Sequence, residues 1–222
     1  MRAAVLGLCG AIVAVGLAAG QAAAHPHMFI DVGLTFRFDA EGRATGVTVE
    51  WHYDEFFTLS YLTDQGYDPD FDGVLTAEEQ ARLTGFDTRW QAGHAGDSYA
   101  LLGEVPLALS GPTAPTARME GGRIVTSHHR TFAEPVPMTG QPLVLQVYDP
   151  SFYTAYTIAY DPVLQGAPAD CLVQVFEPDR AAADAILQAA LEELSGSADV
   201  EAEFPAVGAA YAEEARVTCG LG

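Results

Sequence analysis

From Met28 the chain alternates strictly, with Met28, Ile30, Val32, Leu34, Phe36 and Phe38 on one face and Asp31, Gly33, Thr35 and Arg37 on the other. A period of two is that of a strand with one buried face. After the turn-rich residues 39–42, Val47, Val49, Trp51 and Tyr53 alternate with Thr48, Glu50 and His52, so the two segments are expected to pair as an antiparallel hairpin. The period then changes. Phe56, Phe57, Leu59, Tyr61 and Leu62 recur at helical spacing, and Leu83, Phe86 and Trp90 do so again beyond an acidic stretch. This predicts a helical insertion at about 54–93. Shorter strands are expected near 98–109 and 123–132, separated by a Gly/Pro/Thr loop at 111–117. Two more, at 142–148 and 152–160, flank the tight turn Asp149-Pro150-Ser151, and another lies at 171–176. Ala183, Ile186, Leu187, Ala190, Leu191 and Leu194 then trace one apolar stripe that begins after Glu177-Pro178-Asp179 and stops at Gly196, which predicts a C-terminal helix.

The acidic stretch is specific. Residues 68–79 read DPDFDGVLTAEE, which matches the calcium loop of an EF-hand. Asp68, Asp70 and Asp72 fall at loop positions one, three and five, and Gly73 stands at six, where the chain turns sharply. The Val74 carbonyl fills seven, Thr76 fills nine directly or through water, and Glu79 at twelve offers both carboxylate oxygens. Four converging carboxylates repel one another without a cation. Thr76 and Glu79 also form a Thr-x-x-Glu capping box, so the residues that close the ion site would also start the exit helix. The expected fold is therefore α+β: an antiparallel β-sandwich-like core with an EF-hand-like helix-loop-helix insertion and a C-terminal helix. Only one such loop is visible, and a lone site outside the cytosol is expected in the weak range of about 10⁻⁴ to 10⁻³ M, which favours a structural Ca²⁺ over a signalling switch.

Residues 1–24 carry the pattern of an export signal: Arg2, an apolar run to Ala19, and small residues at 22–24 where a signal peptidase cuts. The expected mature protein begins at His25 and forms one periplasmic domain of about 198 residues over 25–222, without stable membrane insertion. An uncleaved membrane anchor is the alternative. Cleavage removes Cys9 and leaves Cys171 and Cys219 in an oxidising compartment, where one disulfide would close a loop of about 48 residues and contribute roughly 4 kcal/mol in the chain-entropy model. The chain has 30 acidic side chains and ten arginines, and its formal net charge of −20 disfavours nucleic acid and anionic membranes as partners.

His25-Pro26-His27 at the expected new N-terminus is the second candidate for chemistry. A free α-amine and the imidazole of the same residue chelate a transition metal, and His27 adds another nitrogen. The familiar chelate through a deprotonated amide at position two is excluded, because Pro26 has no N–H. A two- or three-nitrogen site for Zn²⁺, Ni²⁺ or Cu²⁺ remains, with His52, His94, His128, His129, Asp31 and Glu50 as candidates to complete it. His128 and His129 are adjacent on a strand and point to opposite faces, so at most one joins any single site. No Gly-x-Ser-x-Gly elbow, phosphate-binding glycine loop or His-Glu-x-x-His motif is present, so nothing local argues for an enzyme.

These motifs, in this order, resemble a bacterial periplasmic family of unknown function described as the periplasmic component of an uncharacterised ABC-type transport system. The resemblance rests on His25-Pro26-His27, Trp51, Asp54-Glu55-Phe56, the loop at 68–79, Val147-Tyr148-Asp149-Pro150-Ser151-Phe152-Tyr153, Gly166-Ala167-Pro168, Cys171 and Cys219. It implies metal handling beside an inner-membrane metal transporter or permease of the nickel/cobalt type. His52 and the pair His128-His129 depart from the family pattern. The expected function is that of a non-enzymatic, metal-associated accessory or binding protein. Two alternatives stand beside it: a calcium-stabilised interaction domain without a transition metal, and a copper enzyme using an N-terminal histidine brace.

Overall fold

The computed structural model describes residues 25–70, 72–138, 140–194 and 204–220. The export signal expected over 1–24 and the polar loop expected near 195–203 lie outside them. β1 (Met28–Phe38) and β2 (Ala44–Tyr53) pair antiparallel, with Val32 opposite Trp51 and Phe36 opposite Val47. Their alternation is realised as packing: Val32, Phe36, Val47 and Val49 are fully buried, and each full burial of an aliphatic or aromatic side chain contributes about 1.5–3 kcal/mol.

The chain then forms α1 (Glu55–Gln65) and the short α2 (Ala77–Leu83) before β3 (Ser98–Leu102), β4 (Val105–Leu107), β5 (Thr113–Glu120) and β6 (Arg123–Val136). β7 (Leu143–Val147), β8 (Thr154–Thr157), β9 (Val163–Gln165) and β10 (Leu172–Phe176) follow, then α3 (Arg180–Glu193), a 3₁₀ turn (Gly208–Tyr211) and β11 (Glu213–Thr218). One sheet has the order β5-β6-β2-β1-β8, with β9 also on β1, and the other has the order β10-β11-β7-β3-β4. Inward side chains of both sheets, such as Phe36 and Val49 from the first and Leu143, Leu145 and Val217 from the second, share one hydrophobic cluster. This is the expected sandwich-like α+β arrangement.

Two local expectations are corrected and two features go beyond them. The exit helix stops at Leu83, because Gly85 takes φ +79 and the Leu83–Phe86–Trp90 spacing continues through turns rather than helix. Most of the segment read as a loop at 111–117 is the edge strand β5, where Pro115 needs no ladder donor. The two strands expected on either side of Asp149-Pro150-Ser151 are present in different sheets: β7 belongs to one, and β8 crosses to the other to run parallel to β1. β11 was not expected, because its inward row of Glu213, Ala215 and Val217 opens on a carboxylate. The Cys171–Cys219 disulfide is formed and ties β10 to the end of β11.

Candidate metal centre

The insertion is held at both ends. Asp54 caps α1 by accepting from the Phe57 amide at 2.7 Å, and its other oxygen accepts from the Phe29 amide of β1 at 2.9 Å. Gly66 closes α1 in the left-handed region, and Thr58 receives the Ile124 amide of β6 at 3.0 Å. Rings connect the loop to the core. Tyr67 stacks on Tyr61 at 6.3 Å, Tyr61 on Phe57 at 5.7 Å, and Phe57 on Tyr53 at 4.7 Å.

Asp68, the first loop residue, is 7% exposed and takes φ +47; Gly73 takes φ +76. The Asp68 carboxylate accepts from the amides of Asp72 at 3.1 Å and Gly73 at 3.0 Å, which folds the chain back over it. Oxygens of Asp68, Asp70 and Asp72 lie within 4.8 Å of one another, the only such group of metal-binding type among the described residues. The Asp70 carboxyl is pushed above its ordinary range, first by its hydrogen bond with Asp68 and then by the charge of Asp72. Three hard oxygen donors so placed suit a hard cation.

Glu79 is placed differently from Asp68, Asp70 and Asp72. One of its oxygens accepts from the Asp68 amide at 3.3 Å, and the other accepts the amide and hydroxyl of Thr76, both at 2.8 Å. These bonds hold its carboxyl below the usual range, the Thr76 amide contributing most. The capping box is thus formed as expected, with Thr76 receiving the Glu79 amide at 3.2 Å. To clamp an ion with both oxygens, Glu79 has to exchange the Thr76 bonds for the cation.

His25 and His27 stand together, their ring centroids 5.0 Å apart. His25 stacks on Phe204 at 3.8 Å, and His27 lies against Tyr153 at 4.8 Å. The residues expected to complete a site with them are engaged elsewhere. His52 meets Glu50 at 2.8 Å and the Tyr160 hydroxyl at 3.1 Å, Asp31 pairs with Arg123 at 2.7 Å, and Glu50 with Arg118 at 2.9 Å. His129 contacts Thr48, while His128 and His94 both sit edge-on to Trp90. No third imidazole, thiol or carboxylate ligand joins the pair among the described residues.

A buried polar stripe was not anticipated. Thr126, His128 and Arg130 take three successive inward positions of β6, between Ile124 and Phe132. His128 is 1% exposed, lies 5.0 Å from Trp51 and 5.3 Å from Trp90, and neither of its ring nitrogens has a partner among the described residues. Burial, with the cation of Arg130 second, pushes its pKa down to about 4, so it is neutral at pH 7. Asp87, contributed by the end of the insertion, accepts from the Tyr53 and Thr126 hydroxyls, and burial pushes its carboxyl up. In the sequence residues 126–131 are an unbroken polar run, and only the parity of Ile124 and Phe132 on either side marks Thr126, His128 and Arg130 as inward.

No helix among the described residues is long and apolar enough to cross a membrane. No curated protein and no solved structure matches the chain significantly. A family whose description is "Protein of unknown function (DUF1007)" matches residues 10–219, nearly the whole chain, and the protein belongs to that family.

Proposed function

We propose that this is an exported, non-enzymatic, metal-associated accessory or binding protein of a transport system, which holds Ca²⁺ in the loop at 68–79. The observation that carries the reading is the convergence of the Asp68, Asp70 and Asp72 oxygens within 4.8 Å on a loop that folds its own amides onto Asp68. Those three carboxylates supply the negative charge, while the Val74 carbonyl, Thr76 and Glu79 complete an oxygen shell. Calcium in this place closes the turn between α1 and α2 and fixes the insertion against the sandwich. The adjacent rings of His25 and His27 support a second, softer site for Zn²⁺, Ni²⁺ or Cu²⁺ at the mature N-terminus. The resemblance to periplasmic transport components supports an inner-membrane metal transporter or permease as the partner.

The test is native mass spectrometry with calorimetry on protein exported through its own leader and stripped of metal by chelator. One stoichiometric Ca²⁺ that is lost in the Asp68→Asn/Asp70→Asn variant is expected. A transition metal that is lost in the His25→Ala/His27→Ala variant establishes metal handling. Calcium alone, with no retention of added Zn²⁺, Ni²⁺ or Cu²⁺, leaves a calcium-stabilised interaction domain, and the absence of both refutes the reading.

A further inference from the structure

Arg130 is a cation buried without a counter-ion. It is 4% exposed, and its guanidinium crosses from β6 toward the second sheet. Nε donates to the Ser110 carbonyl at 2.9 Å, and Nη1 donates to the carbonyls of Ala95 at 2.7 Å and Ser98 at 3.1 Å. The group rests on the Trp90 ring with its carbon 5.0 Å from the centroid. No carboxylate of the described residues lies within ion-pairing distance of it; Arg37, Arg82 and Arg89 have no such pair either, but they are not buried. The adjacent Asp97 instead accepts from the Tyr156 hydroxyl at 2.9 Å. In a chain of net charge −20, a desolvated guanidinium left to carbonyl dipoles is costly and unusual.

A guanidinium has five N–H donors. Three are accounted for, and both on Nη2 have no acceptor among the described residues. Arg130 lines a cleft of about 410 Å³. Ser98, 3% exposed, lines the same cleft, and its hydroxyl is also without a partner among the described residues. One N–H of Nη2 and the hydroxyl of the neighbouring Ser98 make a donor pair for one carboxylate. Other parts of the wall are apolar, with Leu101, Leu107 and Leu109, and the stacked rings of Tyr99 and Tyr148 line it together with His94 and Gln146. A phosphate would call for more positive charge than the single guanidinium supplies, whereas a carboxylate on an apolar body matches both kinds of wall.

We propose that this cleft binds an organic monocarboxylate with a short apolar body, its carboxylate held by Nη2 of Arg130 and the hydroxyl of Ser98. The same chemistry is offered by a free acid and by the C-terminal residue of a chain. The site uses none of the calcium-loop residues and none of the N-terminal histidines, so it stands or falls independently of the metal reading.

The test is titration of the full exported protein with 4-methylpentanoate and its amide, and with N-acetyl-Leu-Leu as free acid and as amide, followed by amide NMR shifts at Ser98 and Tyr99 and by calorimetry. Saturable binding of an acid, without binding of its amide, is expected. Preference for the dipeptide acid identifies a chain end as the ligand, and preference for 4-methylpentanoate a free acid. Ser98→Ala, which leaves no fold partner unsatisfied, should weaken binding about tenfold or more, since a hydrogen bond to a charged group is lost. Arg130→Gln should abolish binding; if that variant fails to fold, Ser98→Ala and the amides still decide. Equal binding of acid and amide, no binding of either acid, or unchanged affinity in Ser98→Ala overturns the proposal.

Discussion

His128 makes the protein acid-sensitive in a way that one substitution removes. Its ring is buried between Trp51 and Trp90, with Arg130 and His129 as the nearby positive groups and no acceptor for a second proton among the described residues. In the unfolded chain the imidazole titrates near 6.5, and in the folded state near 4. Between these values the unfolded state binds the proton and the native state does not, so stability falls as pH falls. Lowering the pH from 7 to about 4.5 therefore costs about 2 kcal/mol at this one residue, or about 4–8 °C of melting temperature for a domain of this size. Asp87 works with the opposite sign. Its raised carboxyl takes up a proton in the native state before the unfolded one, and this contribution is common to wild type and variant. His128→Phe keeps a ring between the two indoles and removes the titration. Urea unfolding of both proteins at pH 7 and 4.5 should show the variant losing about 2 kcal/mol less on acidification. An equal loss in both proteins would refute the account of His128 as a desolvated neutral imidazole.

Three further outcomes follow from other parts of the molecule. With a dissociation constant of about 10⁻⁴ to 10⁻³ M, 10 mM Ca²⁺ should stabilise the protein by about 1–3 kcal/mol and raise its melting temperature by about 3–10 °C; scanning calorimetry should show the rise absent in Asp68→Asn/Asp70→Asn. A Cβ at Gly46 would lie 2.3 Å from the Arg130 carbonyl oxygen, so Gly46→Ala should cost about 1–3 kcal/mol in urea unfolding, while Gly111→Ala, which meets nothing within 4 Å, should be near neutral. Replacing Cys171 and Cys219 by alanine opens a 48-residue loop and should lower stability by about 4 kcal/mol in denaturant, an outcome excluded if the midpoint is unchanged.

The elements that were legible in the sequence are those whose period is set by a single environment. β1 and β2 each bury one face against one core, so alternation alone places Val32, Phe36, Val47 and Val49. α1 and α3 begin at Asp54 and Asp179, whose side chains accept from the third residue onward, a local bond that needs no tertiary information. The loop at 68–79 was legible for the same reason, because its hydrogen bonds to Asp68 come from within the loop. β5 was read as a loop, and β8 was placed as a strand without its partner, because pairing at both depends on a strand elsewhere in the chain. β5 tolerates Pro115 only because it is an edge, and β8 pairs with β1 across more than a hundred residues.

The buried stripe of Thr126, His128 and Arg130 marks the limit of that reading for a physical reason. Alternation reports which side of a strand a residue takes, and it assigns these three to the inside. Whether the inside tolerates them depends on what covers it. The cover is the segment that returns from the insertion, which brings Asp87 to Thr126, Trp90 to His128, and the carbonyls of Ala95 and Ser98 to Arg130. Each polar side chain of the stripe thus meets a group that lies about 30 residues or more away in sequence. The same segment carries Phe86, packed on Tyr61 at 4.5 Å and on Tyr53 at 5.6 Å. The acidic loop and the polar stripe are therefore joined through packed rings, and the insertion is part of the interior rather than an appendage to it. Its sequence could place the acidic loop because that loop is self-contained; the groups it contributes to the interior could be recognised only once the sandwich was closed over them.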